Sequence, residues 1–256
     1  MNEFSIKKIF PSEYLIANLD ILGISNQFKS ENERERICSL SLLRNFMEEA
    51  KNGSEATFGI LEPLETICFS DNIVAAYNTK NAQSQEDLIN NVHYLILYVL
   101  SIQAKAFANS FLLRGAIKFG ELYIDKDLNF TCGKGLIETY ELESKEAIYP
   151  RIITQDDRLL DMIDDIQLSN GFVLKEILKK DNDDKYFLDY LQMFTIANDT
   201  EELLKNAKSN YCKYLLKDRC INENIRKKHD WHINYFNKFC ERVNLVQYKI
   251  EVVDAI

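Results

Sequence analysis

The stretch Tyr14-Leu15-Ile16-Ala17-Asn18-Leu19-Asp20-Ile21-Leu22-Gly23 decides how this chain is read. A short apolar run of strand length leads into a carboxylate that is itself flanked by Leu19, Ile21 and Leu22. Asp20 is therefore expected at the end of a buried strand. A carboxylate placed there loses hydration, at a cost on the order of several kcal/mol unless a cation or hydrogen-bond donors compensate. A second aspartate has a related setting: Thr66-Ile67-Cys68-Phe69, then the turn Ser70-Asp71-Asn72, then Ile73-Val74-Ala75-Ala76-Tyr77. Asp71 sits at the tip of that hairpin. Turns favour Asp and Asn for their own backbone hydrogen bonds, so a plain turn residue explains Asp71 equally well by itself. Two carboxylates carried to adjacent strands can serve one pair of metal ions, which is a signal of phosphate chemistry.

The remaining sequence supplies the frame. Glu31 to Ala50 carries apolar residues at helical spacing (37, 40, 43, 47, 50) and stops at Asn52-Gly53, so one helix links the two aspartate strands. Ser84 and Asp87 match a capping box before a helix whose apolar positions run from 88 to 107 and end near Asn109. Phe111 to Ile124 is strand-like, Asp125-Lys126-Asp127 is a turn, and Phe130-Thr131-Cys132 is a short strand. Gly133-Lys134-Gly135 opens a helix to about Ala147, Pro150 stops it, and Arg151-Ile152-Ile153-Thr154 is another strand. This order predicts an α+β fold, a mixed sheet with helices on one face. Residues 1–165 are expected to form the catalytic unit and 166–256 a mostly helical extension packed on it, with amphipathic helices over Glu201–Lys217 and Asn222–Val243.

Composition excludes several classes. The 256 residues carry a net charge of -9, which argues against a nucleic-acid partner. Six cysteines lack any C-x-x-C pair, so reduced thiols and a cytoplasmic location are expected and a structural zinc site is not. The longest largely apolar stretch, Val92 to Ile102, is too short to span a bilayer, and Glu3 interrupts a start that has no signal-peptide core; no membrane partner is expected.

The ordered set of a strand aspartate, a hairpin aspartate, Arg114-Gly115-Ala116-Ile117-Lys118-Phe119-Gly120-Glu121 and a Gly133-x-Gly135 helix start resembles the class III nucleotidyl cyclase domain over roughly residues 10 to 160. The Ser-Asp-Asn hairpin, the Arg-Gly-Ala-Ile run, Thr139-Tyr140-Glu141-Leu142-Glu143 and Pro150-Arg151-Ile152 look most like the bacterial pyrimidine nucleotide cyclases of Pycsar anti-phage defence. Two departures accompany the matches. The lysine that reads the base in purine-specific members is replaced by Ile67, and the asparagine and arginine usual on the helix after the glycine turn fall on Ile137 and Glu141. The transition-state arginine of the family is therefore missing.

The resemblance implies conversion of UTP, or less so CTP, to its 3′,5′-cyclic monophosphate and pyrophosphate, with two Mn²⁺ or Mg²⁺ ions on Asp20, Asp71 and the carbonyl of Ile21. It further implies a homodimer with composite sites, and a separate effector that responds to the cyclic nucleotide. Backbone N–H groups of Ile24, Ser25 and Asn26 at a helix start would hold the outer phosphates. Arg114 and Arg151 are the candidates for the fixed cation, each equally well explained as a surface or interface ion pair. A purine cyclase with an unorthodox pocket and a silent nucleotide-binding module stand as alternatives. His229 and His232, three apart, are expected to pack rather than bind metal. His93 is expected to be buried and hydrogen-bonded, Tyr140 to belong to the core, and Arg226-Lys227-Lys228 and the acidic run Asp181 to Asp184 to be solvated.

Overall fold

The computed structural model describes residues 10–24, 64–69, 71–128, 130–163, 166–167, 173–196 and 199–252, with parts of 32–48. Of the helix expected from Glu31 to Ala50, the described residues 33, 34, 37, 38, 40–46 and 48 are helical, with Leu43 and Phe46 buried; its remaining positions, 32 apart, lie outside the described residues.

Strand β1 (Ser12–Ile21) is central. It pairs antiparallel with β3 (Asn72–Asn78) on one side and β4 (Leu113–Asp125) on the other. β2 (Leu64–Phe69) closes one edge against β3, and β5 (Phe130–Cys132) adds to the far end of β4 as the expected hairpin. Beyond β4 lie β6 (Ile152–Thr154), β10 (Tyr186–Leu188) and β9 (Leu178–Lys180). The β4–β6 pair is parallel and the other pairs are antiparallel, so the sheet is mixed, as expected. β7 (Ile166–Gln167) and β8 (Val173–Leu174) form a separate small ladder.

Alternation along β1 sorts its side chains between two layers. Leu15, Ala17, Leu19 and Ile21 enter the main core, which holds the apolar side of α1 (Gln85–Ala108). Tyr14 and Ile16 face the other way, to a small cluster that includes Leu136 of α2 (Lys134–Glu146). α2 thus lies across the sheet from α1, and the expectation of helices on one face holds for α1 but not for α2. The approach of α2 is set by glycines: a Cβ on Gly120 would come within 2.5 Å of Gly135 Cα, so backbone meets backbone there.

After the short α3 (Asp157–Met162) the extension expected to be mostly helical opens with the short strands β7 to β10 before α4 (Gln192–Ile196) and α5 (Thr200–Asn210). The helix expected over 201–217 is α-helical to Asn210 and runs on as a π-helical turn over Tyr211–Leu215 and a 3-10 turn over Leu216–Cys220, before α6 (Glu223–Arg242). Phe236 and Phe239 of α6 share the main core with Leu15 and Leu19 of β1, so residues on both sides of the expected 165/166 boundary fill one core. His229 and His232 are buried and bond to tyrosine hydroxyls, Nδ1 of His229 to Tyr211 at 2.6 Å and Nε2 of His232 to Tyr190 at 2.7 Å. His93 Nε2 lies 3.0 Å from the Met162 carbonyl. Tyr140 departs from expectation and is exposed on α2. No helix among the described residues is long and apolar enough to cross a membrane.

Candidate functional site

Asp20 is the penultimate residue of β1, where register places it opposite Asn72 of β3 and Arg114 of β4. Asp71 occupies the turn before Asn72, and its carbonyl accepts the Ile21 N–H at 3.0 Å. That bond ties the β2–β3 turn to the end of β1, so the two aspartates expected to work together do share one corner of the sheet. Asn72 Nδ2 lies 3.4 Å from Asp71 Oδ1. Beyond Asp20 the chain reverses through Leu22 and Gly23, the latter at φ 83°, a conformation that suits glycine. Ile24 follows, buried; Ser25 and Asn26 lie outside the described residues.

Arg114 Nε donates to Asp20 Oδ2 at 2.9 Å, and its Nη1 reaches the Ala147 carbonyl at 3.5 Å. A third acid enters here that the sequence reading passed over. Glu143 of α2, its side chain only 2% exposed, sets Oε1 at 2.7 Å from the same Arg114 nitrogen. The contact is an ion pair rather than a hydrogen bond, because Oε1 lies out of line with an N–H and accepts none. Burial pushes the Glu143 pKa up to about 7; Arg114 and Lys228 pull it down, Asp20 and Asp71 push it further up. The signal available in the sequence was periodic: Gly135, Thr139 and Glu143 recur every four residues and form the buried stripe of α2.

Lys228 of α6 is coupled electrostatically to this corner. It is half-buried rather than solvated, and it feels the charges of Arg114, Asp20 and Glu143. Arg151 has other company. Its guanidinium is fully buried, bonded to Asp181 and Asp183, and lies over the rings of Tyr149 at 5.1 Å, Trp231 at 5.5 Å and Phe187 at 5.8 Å. The acidic run is therefore partly consumed by Arg151 instead of being wholly solvated. Ile67, in β2, is half-buried opposite Val74, while Ile137 and Glu141 on α2 are exposed.

Among the described residues no group of three or more His, Cys, Asp or Glu side chains is arranged to hold a metal ion. The chemistry of Asp20 and Asp71 still suits a hard cation such as Mg²⁺ or Mn²⁺, which takes one or two carboxylates and completes its shell with substrate phosphate oxygens and water.

No family model matches the sequence, and no curated protein matches it. Among solved structures the chain is similar to the adenylyl cyclase CyaB from P. aeruginosa, at 12% identity over 71% of this chain and 96% of that one with a TM-score of 0.46. It is also similar to the guanylyl cyclase Cya2, at 11% identity over 70% of this chain and 92% of that one with a TM-score of 0.44. A bacterial light-regulated adenylyl cyclase matches at 13% identity over 78% of this chain and 59% of its own length, with a TM-score of 0.42.

Proposed function

We propose that the chain is a nucleotide cyclase that acts on a pyrimidine nucleoside triphosphate, UTP before CTP. The observation that carries the reading is the joining of Asp20 and Asp71 at one sheet corner, fixed by the Ile21 N–H to Asp71 carbonyl bond, with Arg114 beside them. In the reaction the ribose 3′-oxygen forms a bond to the α-phosphorus, the bond from that phosphorus to the β-phosphate oxygen breaks, pyrophosphate leaves, and the hydroxyl proton passes to solvent. Two divalent ions, when bound, lower the hydroxyl pKa and neutralise the polyphosphate. Asp20, Asp71 and the Ile21 carbonyl would hold them.

The chain's own residues supply the rest. Arg114 would meet the charge that grows on the α-phosphoryl oxygens, its guanidinium held by two carboxylate neighbours. Arg151, committed to Asp181 and Asp183, acts from behind by fixing the start of β6 beside Arg114, whose neighbour Gly115 donates its N–H to the Arg151 carbonyl at 3.1 Å. Ile24, Ser25 and Asn26 would meet the outer phosphates through their N–H groups. Ile67, an apolar residue where purine cyclases resembling this chain carry a lysine, favours the smaller base. A homodimer with shared sites and a cyclic-nucleotide-responsive effector complete the reading.

Incubation with each of the four ribonucleoside triphosphates and Mn²⁺ or Mg²⁺, with products resolved by mass, tests it. Cyclic UMP or cyclic CMP and pyrophosphate are expected. Preferential cyclisation of ATP or GTP would refute the pyrimidine reading, and no product from any of the four would leave a silent nucleotide-binding module.

A further inference from the structure

One aromatic side chain of α6 packs beside the candidate site. Trp231 of α6 stacks on Tyr149 at 5.6 Å and 9°, meets Phe187 edge-on at 5.6 Å, and donates its Nε1–H to Asp181 Oδ2 at 2.6 Å. It shares a small apolar cluster with Ala116, Leu142 and Ala147. Each of these is tied to the candidate site: Ala116 is two residues from Arg114 on the same face of β4, Leu142 precedes Glu143, and the Ala147 carbonyl accepts from Arg114. One turn before Trp231, on the same side of α6, stands Lys228.

Lys228 differs from the basic residues next to it. Lys227 is exposed and pairs with Glu223 at 2.9 Å, and Arg226 is exposed, whereas Lys228 is half-buried and makes no salt bridge among the described residues. An ammonium that loses part of its hydration without gaining a counter-ion is held at a cost. Burial and Arg114 both pull its pKa down, while Asp20 and Glu143 pull it up. It is a half-buried cation one turn from Trp231, whose cluster borders Arg114 and Glu143, and its donors are uncommitted.

We infer that Lys228 is a phosphate-contacting residue, its ammonium donating to a non-bridging oxygen of the polyphosphate chain of a nucleoside triphosphate, so that α6 completes a site begun by β1, β3 and β4. The identity of the polyphosphate rests on the proposed cyclase function; the anion contact does not. Lys228 thereby provides, from outside the first 165 residues, a positive charge that the helix after the glycine turn lacks, where Glu141 stands in place of an arginine.

Inorganic tripolyphosphate with Mg²⁺ is the probe, titrated calorimetrically into the full chain as wild type, Lys228→Met, Lys228→Arg and Lys227→Met. Loss of one charge-assisted contact weakens binding by about tenfold in Lys228→Met, while Lys228→Arg and Lys227→Met stay near wild type. A second measurement needs no variant: an amine-reactive label read by peptide mass should modify Lys228 less when tripolyphosphate is present and leave Lys227 unaffected. Equal affinity in Lys228→Met, an equal loss in Lys227→Met, no protection of Lys228, or no binding by the wild type would each overturn the inference. Product formation in the same samples separates the two ideas, because tripolyphosphate binding that depends on Lys228 without any cyclic product removes the cyclase reading and leaves the anion contact standing.

Discussion

Arg114 and Asp20 face each other in register across the β1–β4 ladder, and their side chains meet at 2.9 Å. Glu143 approaches the same nitrogen from α2, so one guanidinium stands between two carboxylates. Glu143 is almost sealed from solvent, whereas Arg114 and Asp20 are each about one-fifth exposed. Arg114→Ala would leave Glu143 without its nearest cation, and we expect a loss of about 2–4 kcal/mol in urea unfolding. Glu143→Gln in the same background should recover most of that loss. A double variant no more stable than Arg114→Ala would show that the stranded carboxylate is not the cause.

The two aspartates predict a separation of activity from stability. Asp20→Asn and Asp71→Asn should keep the wild-type near-ultraviolet circular dichroism and lose about a hundredfold or more in cyclase turnover, since each removes a ligand charge worth several kcal/mol in the transition state. Unchanged turnover in either folded variant counts against both as ligands.

Arg151 predicts the opposite separation. Replacing it with Met leaves Asp181 and Asp183 without their shared partner and removes a cation lying over three aromatic rings, for an expected cost of about 3–5 kcal/mol. Arg151→Lys keeps the charge but not the fork that serves two carboxylates, so it should fall between wild type and Arg151→Met in denaturant midpoint. Equal midpoints for all three would mean that the ion pairs contribute nothing.

Stability should fall on mild acidification. Burial pulls the pKa of His229 from 6.5 to about 4 and that of His232 from 6.5 to about 3; Asp230 opposes this at His229, and Arg219 and Lys228 add to it. Between 6.5 and those values the unfolded chain binds protons that the folded chain refuses, so stability is lost as pH falls through that window, at up to about 1.4 kcal/mol per pH unit for each histidine. Glu143 acts with the other sign. Its raised pKa makes the folded state bind the extra proton, so it favours folding at low pH and loses that contribution as pH rises towards about 7. Urea midpoints measured from pH 7 to 4 in a Glu143→Gln background remove the Glu143 contribution, and His229→Gln or His232→Gln should flatten the remaining slope.

Local pattern carried the sheet from β1 to β6 but not its β10–β9 edge, and very little of the charge network. The apolar run before Asp20, the Ser-Asp-Asn turn and the Gly133-x-Gly135 start each depend on neighbours in sequence, and β1, the β2–β3 hairpin and α2 appear where those signals stand. For Arg151 the ion-pair alternative could be stated but its partners could not be named, because they come from a turn thirty residues on, a distance at which no periodicity operates. Lys228 read as solvated because it belongs to a basic run, and which member of such a run is covered depends on how α6 rolls as Trp231 docks. Glu143 hid in a helix rich in acids, where only the stripe through Gly135 and Thr139 distinguishes it from Glu138 and Glu141.

The position of β1 has a consequence for biosynthesis. It is synthesised before its ladder partners, at residues 72–78 and 113–122, and before Phe236 and Phe239, which belong to the same core as its Leu15 and Leu19. Long-range pairing of this kind slows folding, because loop closure must come before any contact that rewards it. During elongation the apolar side of the strand stays unpaired and open to association with other nascent chains. Phe236 and Phe239 of α6 enter that core only after every strand of the sheet has been made, so a chain cut before α6 would leave part of the core open to such association.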